Sequence, residues 1–277
     1  MGDFFNTFLN NPIINILLAL YHIFSFMHIP YSLGFAIIGL TIVIRFILYP
    51  LTKSQLEASA KMQKVVPHLS KIKEKYKGDN TRIQQETMRI YKEQGINPAA
   101  GCLPVLIQMP LIWSLYYVLQ RVVGFKTNLD VSGINKLAYF DFLKLHHVWN
   151  TTFFGLSLGA MPSKLMSSVG PLILLVPILT GVFQFLLSKM MIPAKTEVAI
   201  LEKDIEKKTE IDKKDAGDFA SAFQTQSMFI FPIMIGFFSF SFPIGLSLYW
   251  NTFTIFGIIQ QYKVMGWGGL SEWIKKK

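Results

Sequence analysis

The feature that most constrains this chain is a set of apolar runs about twenty residues long, the length a helix needs to cross bilayer hydrocarbon at 1.5 Å per residue. Residues 31–51, 103–123 and 169–190 fit that description, and the run from Phe223 to Tyr262 is long enough for two more. Pro243 with Gly245 divides that last run into 223–241 and 243–262, and so short a connection demands an antiparallel pair. Arg45 is the only charge well inside any of these segments, and no Asp or Glu occurs in them. The composition agrees: 51% of residues are hydrophobic and only 16% charged, against about 25% charged in soluble domains.

Residues 12–28 form a sixth apolar run. Pro12 suits the opening of a helix, and Asn15, His22 and Ser25 place a weak polar stripe on one face before Pro30 interrupts. The reading adopted is an amphipathic helix lying at the interface, with a full span and a cleaved signal peptide as the alternatives. The expected fold class is an all-α polytopic membrane protein with five transmembrane helices, this N-terminal interfacial helix and a cytoplasmic helical hairpin. The segments are an interfacial helix on the extracellular side over 1–30, spans at 31–51, 103–123, 169–190, 223–241 and 243–262, cytoplasmic segments 52–102, 191–222 and 263–277, and an extracellular loop region 124–168.

Lysine and arginine set the orientation. Ten fall in 52–102 and six in 191–222, the tail adds Lys263 and Lys275 to Lys277, and 124–168 holds only Lys126, Lys136, Lys144 and Lys164. The richer segments share one side, the cytoplasm, which puts the N-terminus outside and the C-terminus inside. The net charge of +10 then reads first as flank charge that orients the chain.

Within 53–94 two soluble helices are expected. Met62, Val65, Val66, Leu69, Ile72 and Tyr76 make a narrow apolar stripe among lysines, and Ile83, Met88, Ile90 and Tyr91 make a second. Lys77 to Asn80 forms the turn, with polar residues suited to capping the next helix, and Pro67 argues for a kink in the first. The hairpin is either a solvated connector or a basic surface for anionic lipid, ribosomal RNA or a partner protein. Leu201 to Asp218 alternates Lys with acids and reads as a short mobile helix or disorder.

Function classes narrow by chemistry. One cysteine, Cys102, excludes an internal disulfide framework and a four-cysteine metal site, and none of the five histidines has metal-ligand spacing with a carboxylate. There is no Gly-rich phosphate loop, HExxH or GxSxG, so no catalytic residue, metal, nucleotide or other cofactor is expected. What the spans do carry is polarity at one depth. Arg45 lies about 21 Å from the outer end of its span and about 9 Å from the inner end. Gln108, Gln184, Gln224, Gln226, Ser227, Gln260 and Gln261 fall toward the same end of theirs, with Asn251 near the middle. An arginine in hydrocarbon costs about 3 kcal/mol or more. Either it snorkels to the inner headgroups, or a water-filled cavity open to the cytoplasm and lined by these amides hydrates it. The convergence of polar groups at matching depth favours the cavity.

These residues sit in recognisable motifs. Arg45 precedes Tyr49-Pro50-Leu51; Asn97-Pro98, Gly101 to Pro104 and Gln108-Met109-Pro110 follow; and Phe231-Pro232 leads to Gly236 through Pro243, Gly245, Leu246, Leu248, Tyr249, Trp250 and Asn251, then Gln260-Gln261. Over about 12–262 the chain resembles the YidC/Oxa1/Alb3 family of membrane protein insertases, in the short form without the large periplasmic domain. The resemblance implies a five-helix core and a hydrophilic groove open to cytoplasm and lipid. Arg45 would be its charge, with Gln108, Gln184, Trp250 and Asn251 as groove residues and Pro232, Pro243 and Gly245 as structural motif positions. It implies nascent membrane proteins and lipids as partners, action alone or with the Sec translocon, ribosome binding in some members, and no use of nucleotide. The rivals are a small transporter or channel, which would need a through-path or a buried acid, and a non-catalytic membrane assembly partner.

Overall fold

The computed structural model of the chain describes residues 5–95, 103–124, 130–192 and 218–274. Asn97-Pro98, Gly101-Cys102 and the charged stretch after Leu201 lie outside the described residues, as do the side chains of Gln224, Gln226 and Ser227. The structure is mostly helical. A π-helical turn, Asn6–Asn10, runs into α1 (Asn11–Phe26), followed by α2 (Ser32–Ile47), α3 (Tyr49–Lys75), α4 (Asn80–Glu93) and α5 (Leu103–Val122). After a short α6 (Val131–Asn135) come β1 (Thr152–Phe153), β2 (Leu156–Ser157) and α7 (Pro162–Val169). A 3-10 turn, Pro171–Leu174, opens α8 (Leu175–Met190), and α9 (Asp218–Ser241), α10 (Ile244–Met265), a 3-10 turn (Gly268–Leu270) and α11 (Ser271–Ile274) complete the chain.

By length and composition, two helices among the described residues could cross a membrane, Asn6–Phe26 and Pro171–Met190; a third pairs α2 with the start of α3 across a break. That break has a local cause. Residues 31–51 read as one span, but α2 stops at Ile47, and Pro50 follows with no N–H to continue the ladder. Pro67 causes no such break, for α3 runs through it to Lys75.

The chain divides into two compact units. The first comprises Met1–Leu48, Val105–Phe183 and Ile233–Phe256, and the hydrophobic core lies here. Helix α1 buries Ile13, Ile14, Leu17, Leu18 and Tyr21, one face at helical spacing, and packs on Ala36, Ile37, Leu40 and neighbouring residues of α2. Its polar stripe faces protein. Asn15 Nδ2 donates to the carbonyls of Asn11 and Leu137, both at 2.8 Å, and its Oδ1 accepts from Tyr139 N at 2.7 Å. His22 Nε2 lies 3.0 Å from the Leu143 carbonyl. The segment 137–145 therefore runs along the middle of α1. It also carries an exposed ion pair, Lys144 to Asp141, whose contact holds the Asp141 carboxyl below its ordinary range.

The described part of the expected loop region, residues 130–168, is more ordered than a loop reading suggests. Phe154 and Gly155, with φ of 48° and 81°, turn a small antiparallel hairpin, the left-handed backbone that tight hairpins require. Phe153 packs where Gly34 of α2 has no side chain: a Cβ there would stand 2.0 Å from the Phe153 ring. Trp149 is buried and its indole donates to the Val122 carbonyl at 2.9 Å. The same segment starts α10. Ile244 N donates to Ala160 O at 2.9 Å and Gly245 N to Leu158 O at 2.8 Å, satisfying two N–H groups that a helix start leaves open.

The second unit comprises Tyr49–Pro104, Gln184–Pro232 and Gly257–Lys277. Its α3–α4 hairpin turns at Gly78, with φ of 93°. Asp79 caps α4, its carboxylate accepting from Arg82 N at 3.0 Å. On α4, Tyr91 is half-buried, which pushes its hydroxyl above the ordinary tyrosine range.

Candidate functional site

In the first unit, Arg45 occupies the last turn of α2 and is only 6% exposed. Its Nη2 donates to the backbone carbonyl of Phe253 on α10 at 2.6 Å. The guanidinium carbon lies 3.4 Å from the centroid of the Phe253 ring. One residue of α10 thus supplies both a carbonyl acceptor and a π face. Tyr249, one turn earlier on α10, is an electrostatic neighbour of the guanidinium, and its ring lies 5.8 Å from that of Phe253. The Tyr249 hydroxyl accepts from Gln108 Nε2 of α5 at 3.3 Å. Tyr249 is itself 1% exposed, so its hydroxyl needs such a partner.

The energetics of this cluster are close to balanced. A hydrogen bond from a charged group contributes roughly 1.5–3 kcal/mol, and a desolvated cation over a ring up to about 2 kcal/mol. Together they offset the roughly 2.5–3.5 kcal/mol that an arginine costs at membrane depth. Both groups, carbonyl and ring, are neutral.

The other residues singled out from the sequence fall elsewhere. Trp250 is turned about 100° from Tyr249 around α10 and lines a cavity of about 90 Å³ with Thr180, Ile235, Phe238, Ser239, Phe242, Leu246 and Ser247. Three of these are buried hydroxyls bonded to one another. Ser239 Oγ lies 2.8 Å from Ser247 Oγ and 3.3 Å from Thr180 Oγ1, which donates to the Val176 carbonyl at 2.8 Å. With the hydroxyls paired among themselves, the wall of the cavity is apolar. Asn251 stands about 200° from Tyr249 around the helix, so it faces away from the arginine. Its Oδ1 is buried without a hydrogen-bond partner among the described residues. Gln184 is half-buried and belongs to the second unit. The structure thus joins Arg45 to Gln108 through Tyr249 and places Trp250 and Asn251 on other faces of α10.

The motif prolines and glycines have backbone roles. Pro243 lies just before α10, and its carbonyl accepts from Leu246 N at 2.9 Å. A Cβ on Gly245 would stand 3.2 Å from Leu158 O, and one on Gly236 3.2 Å from Pro177 O. Pro232 is buried within α9. Sequence reading placed Tyr249 in a motif without a site role and passed over Phe253. Their signal was their four-residue spacing on a helix and the burial of a tyrosine, but pairing them with Arg45 required the rotation of α10.

Comparison with known proteins follows the same outline. The family described as 60Kd inner membrane protein matches residues 22–268. The chain is 32% identical over 255 residues to the chloroplastic inner membrane protein ALBINO3 of Arabidopsis thaliana, covering 88% of this chain and 49% of that protein. It is 32% identical over 232 residues to the membrane protein insertase YidC of Oceanobacillus iheyensis, covering 82% of this chain and 72% of that one. A crystal structure of an active YidC insertase shares the fold, with a TM-score of 0.54 at 24% identity over 89% of this chain and 45% of that chain. The chain spans about half the length of several relatives it matches, among them both chloroplastic Arabidopsis proteins.

Proposed function

This chain belongs to the YidC/Oxa1/Alb3 family of membrane protein insertases, and from that premise we propose that it moves short polar segments of nascent membrane proteins across the bilayer and releases their helices to lipid. Five spans, at 31–51, 103–123, 169–190, 223–241 and 243–262, form the membrane part. The N-terminus is outside and the C-terminus in the cytoplasm of a bacterial plasma membrane, in line with the Lys and Arg distribution. Helix α1 lies along the outer surface. That placement is supported by the bonds of Asn15 and His22 to 137–145, because a segment with an exposed Asp141–Lys144 pair cannot run through hydrocarbon.

The observation that carries the mechanism is Arg45, buried yet bonded to a neutral carbonyl. A guanidinium that donates to a carbonyl and stacks on a ring keeps its positive charge and attracts an anion. An acidic residue or carboxylate of the substrate exchanges with the Phe253 carbonyl, and a charge-assisted pair replaces a charge–dipole contact. Gln108, joined to the arginine through Tyr249, offers its amide to the polar segment in a groove that is wet from the cytoplasm. The apolar helix of the substrate passes along the first, third and fifth spans, with Trp250 at its side. No nucleotide or covalent step is needed, since each stage is an exchange of solvation. The protein acts alone or with the Sec translocon, and ribosomes are the source of its nascent substrates.

The test is insertion into proteoliposomes of a small single-span substrate with an acidic external tail, beside the same substrate with a neutral tail. Arg45→Ala is expected to slow the acidic substrate strongly and the neutral one little. Equal insertion of both by wild type and variant would remove the charge-attraction step. Equal loss for both would favour the assembly-partner reading.

A further inference from the structure

The C-terminal turn of the second unit is built more tightly than a tail requires. Gln261 Nε2 donates to Met190 O at 3.2 Å, Gly269 N to Ile192 O at 2.8 Å, and Gln63 Nε2 to Met191 O. Three elements thus satisfy carbonyls that the end of α8 leaves open. The approach admits only glycine: a Cβ on Gly268 would stand 2.1 Å from Met190 O, and one on Gly269 2.8 Å from Lys189 O. This contact fixes where α11 goes. Trp273 comes to rest with the Lys189 ammonium 3.8 Å over its ring. It continues a row of rings, Trp273 to Phe185 at 6.2 Å and Phe185 to Phe229 at 5.7 Å.

The outer side of this turn is uncovered. Trp273 is 55% exposed and Ile274 49%, and the rings of the exposed Tyr262 and Trp267 pack 4.6 Å apart. The ring row leads into Phe229, Ile230 and Phe231 of α9, each about half exposed. The sequence ends Lys275-Lys276-Lys277, and with Lys263 the tail carries four lysines against one acid, Glu272.

We propose that the segment Gly266–Lys277 is an anchor at headgroup level that docks on anionic phospholipid. Indoles with a lysine beside them match the layer between hydrocarbon and water, and clustered lysines match lipid phosphates. The ring row runs into the exposed apolar side chains of Phe229, Ile230 and Phe231, which decides for lipid over ribosomal RNA, because hydrocarbon covers apolar side chains and a polyanion does not. Pressed onto α8 by two glycines, the turn ties the end of that helix to the membrane plane. This goes beyond the insertion reading and does not depend on it.

The experiment uses the full chain with Cys102→Ser and Ser271→Cys, labelled with an environment-sensitive fluorophore, in nanodiscs of phosphatidylcholine alone or with phosphatidylglycerol added. The expected result is a blue-shifted probe quenched by headgroup-depth spin-labelled lipid, more strongly with phosphatidylglycerol present. Converting Lys275 to Lys277 to Gln should weaken docking on the order of a hundredfold, at about fivefold per lysine. Adding Trp267→Ser and Trp273→Ser should abolish the quenching. A probe that stays in water in both discs, indifference to the Lys→Gln change, or quenching that appears only when ribosomes are added would each overturn the proposal.

Discussion

Arg45→Met is expected to leave the protein folded and nearly as stable as before, and to cost it the capacity to engage acidic substrates. Methionine keeps most of the aliphatic stem and removes the guanidinium. The loss includes the bond to Phe253 O and the contact with its ring, together roughly 2–5 kcal/mol at the magnitudes for a charged hydrogen bond and a cation–π pair. Against this stands release of the membrane-depth charge, roughly 2.5–3.5 kcal/mol. The Phe253 carbonyl is not orphaned, because a helix supplies it an N–H donor four residues on. The net change therefore lies within about 2.5 kcal/mol of zero, a shift of several degrees at most in the unfolding midpoint for a chain of this size. Thermal unfolding in nanodiscs measures it, with Arg45→Lys as companion. Lysine keeps the charge without the planar fork, so it should retain part of the insertion activity. A fall in midpoint of tens of degrees for Arg45→Met would show the arginine to be a structural rivet and refute the reasoning.

Two other substitutions probe the frame around the site. Asn15→Ala leaves Leu137 O and Tyr139 N without their partner, at roughly 0.5–1.5 kcal/mol for each hydrogen bond lost. It should loosen 137–145 from α1, seen as faster proteolysis of that segment from the outer side; unchanged cleavage would contradict the docking described. Gly245→Val places side-chain atoms against Leu158 O, where a Cβ alone comes to 3.2 Å. It should lower stability by about 1–3 kcal/mol in thermal unfolding, and an unaltered midpoint would mean the approach is looser than the structure has it.

Much of the framework was legible in the sequence because hydrophobicity and charge act locally. The apolar runs mark α5, α8, α9 and α10 to within a few residues, and Lys77 to Asn80 announced the turn that Gly78 and Asp79 make. The stop of α2 at Ile47 was written in Pro50, yet an apolar run conceals a break that costs no hydrophobicity. Rotation was not legible. Depth placed Arg45, Gln108 and Asn251 within reach of one another, but only the packed helices show that Tyr249 and Phe253 turn toward the arginine while Asn251 turns away. The polar stripe of α1 likewise signalled a polar neighbour without saying whether it was water, headgroup or protein. Asn15 and His22 find backbone partners more than a hundred residues away, which no local pattern encodes.

The central claim is that water reaches the polar residues of the spans from the cytoplasmic side only. The direct measurement is labelling of single cysteines at positions 108, 184 and 251, in a Cys102→Ser background, with a membrane-impermeant reagent applied to inside-out and right-side-out vesicles. A cysteine at Leu40, 1% exposed in the core, serves as the dry reference. The account predicts labelling of the three positions from the cytoplasmic face and none at Leu40. Labelling no faster than at Leu40, or equally fast from both faces, would contradict it.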